Sequence, residues 1–340
     1  FYCQKNNIMD KKISVKNFSS IPAPIMEQPF LAQSQTESWD WFVKKGLKEL
    51  FEEISPIKDY TGKELELYFV DYYFDEPRYD EETSRLKGLT YEAPLRAKVK
   101  LVNHLTKETK EEEIYFGDFP IMSSRNTFIM NGVERVVVSQ IIRSSGAYFK
   151  ATVSRGKKFF GAKIIPNRGS WLEFETEVDG FIGVKIDRKR KAPVIDLLRI
   201  FASGTKNLLD DNQKIVDLFK DADNGPLKFI QATLKKDSAK NTEESYLEIY
   251  KRLRPGDLAT AENAKSLIDA MFKRVDRYSL SSVGRFKINQ RLGFKNKITA
   301  LIDYEDLLNI IKEIIRLNND SNAQPDDIDD LGNRRIRGVG

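Results

Sequence analysis

Apolar residues recur at helical spacing between positions 34 and 54, where Trp39, Phe42, Val43, Leu47, Leu50, Phe51 and Ile54 form one stripe. That period predicts an amphipathic helix whose aromatic face belongs to a core. From Leu65 to Val102 the period shortens to two. Tyr68-Phe69-Val70 reads as strand, and Leu95 to Leu101 alternates apolar with basic side chains, as a half-buried strand does. Thr127 to Met130, then Asn131-Gly132, then Val133 to Ile142 predicts a hairpin, because Asn-Gly supplies the positive φ angles of a type I′ turn. This first region reads as α+β.

Gly146 to Gly161 is basic, contains Gly and Ser, and is read as a loop or linker. A second hairpin is expected over Trp171–Ile186, turning at Asp179-Gly180. Alternation there puts Leu172, Phe174 and Val178 on one face and Glu173, Glu175 and Glu177 on the other. Trp171 falls on the polar face, where its ring is either exposed or folded under a neighbouring loop; periodicity alone favours burial. The pattern then turns helical. Pro193 opens a helix carrying Val194, Leu197, Leu198 and Phe201. Leu267, Ile268, Met271, Phe272 and Val275 share a stripe over 261–275, and Asp303 is placed to cap a helix through Leu307 and Leu317. Asn318 to Pro325 is a polar break, so residues 326–340 belong to another unit or return to the first.

Composition narrows the function classes. A chain of 340 residues suits two domains, and 40% hydrophobic residues suffice for real cores. No apolar run approaches the roughly 18 residues of a membrane span, and no secretion signal is evident, so a cytoplasmic location is the simplest expectation. One cysteine, Cys3, excludes an internal disulfide framework, and one histidine, His104, excludes a multi-histidine metal centre. Net charge is only +5, but it is unevenly spread. From Arg135 to Ser170 there are Arg135, Arg143, Lys150, Arg155, Lys157, Lys158, Lys163 and Arg168 and no Asp or Glu; Lys185 to Lys191 and Arg334, Arg335 and Arg337 add two more basic blocks. Any one block reads best as a solvated face. Three together point toward a polyanion, of which nucleic acid is the commonest.

Catalytic motifs are missing: no Walker loop, no Gly-x-Gly-x-x-Gly after a strand, no His-Glu-x-x-His. Asp326, Asp327, Asp329 and Asp330 form a dense carboxylate run, better read as solvated or arginine-paired than as a magnesium site. Ser139 and Ser144 have no histidine nearby. By itself the chain does not read as an enzyme.

An ordered set of stretches carries a more specific signal. Asp118-Phe119-Pro120-Ile121-Met122 leads into Thr127 to Gln140 and Arg143-Ser144-Ser145-Gly146. Ile164 to Glu175 and Ile186 to Lys191 come next, then Arg254-Pro255-Gly256-Asp257, Asp276 to Leu280, Val283-Gly284-Arg285 and Asp327 to Arg337. In that order they resemble the N-terminal portion of the bacterial DNA-directed RNA polymerase beta subunit. The resemblance runs from about residue 20 onward and covers the first part of a much longer subunit. It implies an α+β fold of two modules: a hairpin-containing protrusion over 21–145, an inserted mixed hairpin and helical lobe over 146–322, and a truncated return segment over 323–340. Residues 1–20 are expected to be a disordered or non-native leader, since Met9-Asp10-Lys11-Lys12 looks more like a start than Phe1.

Site residues carry over one at a time. Arg135, Val138 and Gln140 match positions that border the RNA–DNA hybrid and the rifamycin pocket. Arg143, Trp171, Ile328, Asp329 and Arg334 match positions that contact the non-template strand. There the indole stacks on an unpaired base, and Asp329 with Arg334 hydrogen-bonds a guanine. This implied role outweighs the burial that periodicity favours for Trp171. For Asp329 and Arg334 the structural alternative is an ion pair tying the return segment down. Departures from the pattern are Ser145 where proline is usual, Asp330 where histidine is common, Asn126 where glycine is common, and a short stretch between Arg199 and Tyr250.

The expectation is therefore a part of a nucleotidyltransferase of transcription that is itself non-catalytic. It would form one wall of the DNA channel and bind no cofactor, the magnesium being held by the beta-prime partner. Implied partners are DNA, the RNA–DNA hybrid, the alpha, beta-prime and omega subunits and a sigma factor. Two alternatives come from other classes: a free-standing nucleic-acid-binding protein, and a scaffold whose basic faces meet acidic proteins.

Overall fold

The computed structural model describes residues 30–60, 62–203 and 209–339. The leader expected over 1–20 lies outside them. The apolar stripe at the start forms α1 (Gln33–Trp41) and α2 (Leu47–Ile54), joined by a π-helical turn over Phe42–Gly46. The Tyr72 hydroxyl donates to the Val43 carbonyl in that turn at 2.6 Å. Leu47 and Phe51 are buried, whereas Leu50 and Ile54 of the same stripe stay exposed.

This helix lies against an antiparallel sheet of β1 (Ile57–Lys58), β2 (Leu65–Phe74), β3 (Glu92–Asn103) and β4 (Glu108–Pro120), in that order; α3 (Glu81–Lys87) joins β2 to β3. The alternation in β3 is realised: Ala93, Leu95, Ala97 and Val99 are buried. Arg96, Lys98 and Lys100 reach Asp75, Glu113 and Glu111 at 2.6, 3.9 and 3.9 Å. The core here is small, with Leu47, Phe51, Leu95 and Ala97 at its centre and Phe51 stacked on Phe69 at 5.0 Å.

The Asn131-Gly132 turn joins β5 (Phe128–Met130) to β6 (Val133–Arg135), with φ of 51° and 76°. Glycine is required for a second reason: a Cβ on Gly132 would lie 2.7 Å from the Gly88 Cα. The second strand was expected to run to Ile142, but it ends at Arg135. Gln140–Arg143 instead forms a separate strand, β7. Its partner comes from the far end of the chain, where local pattern has no reach.

The expected loop over Gly146–Gly161 is replaced by a hairpin, β8 (Gly146–Ser154) and β9 (Lys157–Ile165), turning at Arg155 and Gly156. The charges that suggested a loop, Arg155, Lys157 and Lys158, sit at its exposed tip, while Tyr148, Phe149, Phe159 and Phe160 are buried. β10 (Leu172–Thr176), β11 (Ile182–Ile186) and β12 (Ala192–Pro193) complete a five-stranded antiparallel sheet of order β12-β11-β10-β9-β8. Val178, expected with Leu172 and Phe174 in the core, flanks the turn and is exposed.

Helices cover this sheet: α4 (Val194–Ala202), α5 (Asn212–Phe219), α6 (Phe229–Lys236), α7 (Thr242–Leu253), α8 (Ala261–Phe272), α9 (Ser281–Leu292) and α10 (Tyr304–Asn319). Every residue of α4 is buried. Val275, placed on the α8 stripe, falls past the helix end and is exposed. Asp303 caps α10 as expected, accepting the Asp306 N–H at 3.0 Å while the Asp306 carboxylate accepts the Asp303 N–H at 3.1 Å. One apolar cluster runs from Ala147 to Ala323.

After the polar break, Asp326 exchanges hydrogen bonds with Phe149, N–H to carbonyl and N–H to carboxylate, both at 2.8 Å. A 3-10 turn (Leu331–Asn333) leads to β13 (Arg334–Arg337), which pairs with β7. The fold is α+β. Among the described residues no helix is long and apolar enough to cross a membrane.

Candidate nucleic-acid interface

Antiparallel register on β7 and β13 sets Arg143 opposite Arg334, and Gln140 opposite Arg337. Two like charges facing each other are unfavourable unless a counter-charge intervenes. Asp329 supplies it by pairing with the Arg334 guanidinium. Arg337 donates to the Gln140 side-chain oxygen at 2.9 Å. The ion pair weighed as the structural alternative is thus formed, yet the Asp329 side chain remains 79% exposed. A guanidinium has five N–H donors and a carboxylate several acceptor sites, so one mutual contact leaves edges of both free for a ligand. Arg143 is exposed and, among the described residues, has no carboxylate within 4 Å. Ile328 is half-buried beside this pair.

Trp171 stands just before β10. Its N–H donates to the Asp187 carboxylate at 2.8 Å, and its carbonyl accepts the Asp187 N–H at 3.0 Å. The ring is half-buried, neither sealed in the core nor free. Lys163 Nζ lies 4.5 Å from the ring centroid and the Arg188 guanidinium 5.8 Å. Lys163 also pairs with Glu173 at 2.7 Å, so the indole sits on the charged face of the sheet. Leu172 pairs with Ile164, which pairs with Ala147. Trp171 is therefore two strands, roughly 10 Å, across from the start of β8. Arg143 ends the strand just before β8. Lys163 and Arg188 belong to the basic blocks read from the sequence, but only sheet register brings them to the ring.

Arg135, Val138 and Gln140 are all exposed, on β6, in the segment after it and on β7. Arg135, Arg155, Lys157 and Lys158 have no carboxylate within 4 Å among the described residues. Other members of the basic blocks are spoken for. Arg168 pairs with Glu53 of α2, and its backbone exchanges hydrogen bonds with Ser279. Lys185 reaches Glu175 at 2.9 Å, and Lys191 reaches Glu175 and Glu177 at 3.0 and 2.9 Å. Within the acidic run, Asp326 meets Arg291 at 3.2 Å and Asp329 meets Arg334. Among the described residues no three His, Cys, Asp or Glu side chains gather as metal ligands would.

Comparison with known proteins identifies the family. The model for the RNA polymerase beta subunit matches residues 30–127, and that for RNA polymerase Rpb2, domain 2, matches residues 134–337. The DNA-directed RNA polymerase subunit beta of Chloroflexus aggregans is 46% identical, over 97% of this chain and 29% of its own length. That of Staphylococcus carnosus is 47% identical, over 83% of this chain and 23% of its own. The chain thus spans less than a third of the length of these relatives. With both family models matched in order along it, the chain belongs to the RNA polymerase beta subunit (Rpb2) family.

Proposed function

We propose that this chain is the N-terminal part of the beta subunit of a DNA-directed RNA polymerase, and that it forms one wall of the DNA channel. On this reading Arg143, Trp171, Ile328, Asp329 and Arg334 contact the non-template strand, and Arg135, Val138 and Gln140 border the RNA–DNA hybrid. The observation that carries it is that β7 and β13, distant in the chain, set Arg143 opposite Arg334, whose guanidinium pairs with the exposed Asp329 of the segment leading into β13. A surface ion pair alone would contribute little stability. An open guanidinium beside an acceptor and a second cation suits a base edge and its phosphate.

Labour divides accordingly. Residues 21–145 with 323–340 act as the protrusion and 146–322 as the lobe. The assembled enzyme joins nucleotides in the cytoplasm with the alpha, beta-prime and omega subunits and a sigma factor. Its magnesium is held by beta-prime, so this part positions nucleic acid and performs no bond chemistry.

The test is Trp171→Ala in the assembled polymerase. Loss of a base stack is worth about 1–3 kcal/mol, so open-complex lifetime should fall about tenfold while the thermal unfolding of the subunit is nearly unchanged. A large loss of folding stability with unaltered lifetime would make the ring a piece of core instead.

A further inference from the structure

We infer that Lys287 and Arg291, one turn apart on α9, are positioning residues that hold segment 326–333 in place and so set the geometry of Asp329 and Arg334. The inference rests on the reading of those two residues as strand-contacting groups.

The segment has almost no core of its own: Asp329 and Leu331 are exposed. Its internal hydrogen bonds are local. The Asp329 N–H donates to the Asp327 carboxylate at 2.9 Å, Gly332 N–H to the Asp330 carboxylate at 2.7 Å, and Asn333 N–H to the Asp330 carbonyl at 2.8 Å. Such bonds shape a turn without fixing where it lies. Placement comes from the two ends. At the entry, Arg291 Nε donates to Asp326 at 3.2 Å, beside the two 2.8 Å hydrogen bonds that Asp326 exchanges with Phe149 of β8. At the exit, Lys287 Nζ donates to the Asn333 side-chain oxygen at 2.9 Å and to the Gly332 carbonyl, while Ser144 N–H donates to the Asn333 carbonyl at 2.9 Å.

Side chains four apart on a helix share a face, so α9 grips both ends at once. The Lys287 stem lies close to Gly146, where a Cβ would come within 3.3 Å of the Lys287 Cβ. Helix α9 is itself fixed, since the buried Arg285 forks onto Asp306 of α10 at 2.8 and 2.9 Å. Contact therefore runs from α10 through α9 to the residue immediately before Arg334. A site that must present a carboxylate and a guanidinium together loses selectivity when its support loosens by more than about 0.5 Å.

Arg291 also pairs with Glu313 at 2.9 Å, which makes Lys287 the cleaner probe. The experiment uses the assembled polymerase with the full-length subunit and two promoters differing only in guanine or adenine at the non-template base read by Asp329 and Arg334. Lys287→Met should lower the guanine-to-adenine ratio of open-complex lifetimes severalfold, up to roughly the tenfold that one charge-assisted hydrogen bond represents. Lys287→Arg should restore most of it, with unfolding temperature unchanged in both variants. A ratio untouched by Lys287→Met overturns the inference. So does an equal drop on both promoters, which would mark a merely structural lysine. Asp329→Ala separates the two levels: a ratio it leaves unchanged removes the guanine reading and this inference with it. A ratio flattened by Asp329→Ala but not by Lys287→Met removes only the positioning role.

Discussion

The two sheets of the molecule solve the same problem with very different resources. The first is covered on one face by α2 and the π-helical turn before it and has a small buried centre, leaving Val70, Ile114, Tyr115 and Phe116 exposed. Its charges stay at the surface, as in the Arg96–Asp75 pair, whose side chains are 40% and 33% exposed. The second is enclosed by helices around one continuous apolar cluster, and it buries ions outright. Arg199 there is inaccessible and donates to Asp237 at 2.6 Å, Asn212 at 2.8 Å and the Ala239 and Leu209 carbonyls at 2.8 and 3.2 Å. A large core tolerates a buried charge only when its polar atoms find partners, and here each of the three guanidinium nitrogens has an acceptor. Equal-looking arginines thus differ in worth according to what surrounds them.

Removing one arginine from each region should separate the two most strongly. Arg199→Met should cost about 3–5 kcal/mol, because it strands Asp237 as an uncompensated buried carboxylate. Arg96→Met should cost far less, because water already screens its pair with Asp75. Thermal unfolding of the two variants checks the pair; equal losses would mean that burial does not separate these regions.

Legibility in the sequence obeys the same division between local and distant causes. The Asn131-Gly132 turn and the Asp303 cap were legible because the residues that need them are neighbours. The β7–β13 pairing was not, since the partner of Gln140–Arg143 is supplied by the last strand. The β8–β9 hairpin was misread because Arg155, Lys157 and Lys158 at its tip masked apolar residues farther along both strands. Some residues that carried the family resemblance turn out to be structural. Tyr278 is sealed in the core, and Arg285 is held by Asp306 and the Thr299 and Leu301 carbonyls. The residues proposed for the site rest on likeness to a family. Their surroundings, Lys163 and Arg188 around Trp171 and Lys287 behind Asn333, needed coordinates.

Acid and base sharpen the contrast at a smaller scale, because the regions should respond with opposite sign. Burial first, and then the negative charge of Asp237, push the Asp196 carboxyl up to about 7; its Oδ1 accepts the Ser245 hydroxyl at 2.9 Å and its Oδ2 has no protein partner. Arg199 opposes that rise and Glu248 adds to it. A folded value above the unfolded one means that the native state holds the proton more tightly. Stability from this group is full below the ordinary carboxylate range and is lost as pH climbs toward about 7. Glu66 behaves inversely. Hydrogen bonds from Tyr68, then Lys58 and His104, hold it down at about 2, so its contribution is present above the ordinary range and is lost as pH falls toward about 2. Tryptophan fluorescence can track each region separately, Trp39 and Trp41 in one and Trp171 in the other. Asp196→Asn should flatten the slope between pH 4 and 7 in the second region. Glu66→Gln should flatten the acid limb in the first. Slopes of the same sign in both would contradict these assignments.

The smallest effects should erase the contrast altogether. Arg188 lies 5.8 Å from the Trp171 ring, and Lys87 lies 5.9 Å from the Tyr79 ring in the first region. Both cations are exposed, and exposed cation–π contacts are worth about 0.5–1 kcal/mol whatever lies beneath them. Arg188→Gln and Lys87→Gln should therefore cost the same within about 0.5 kcal/mol, and Arg188→Gln alone should shift the Trp171 emission. A loss above about 2 kcal/mol for Arg188→Gln would mean that the indole is anchored to the large core through its neighbours. It would then be too firmly held to turn toward a base, and the stacking assigned to it would lose its physical basis.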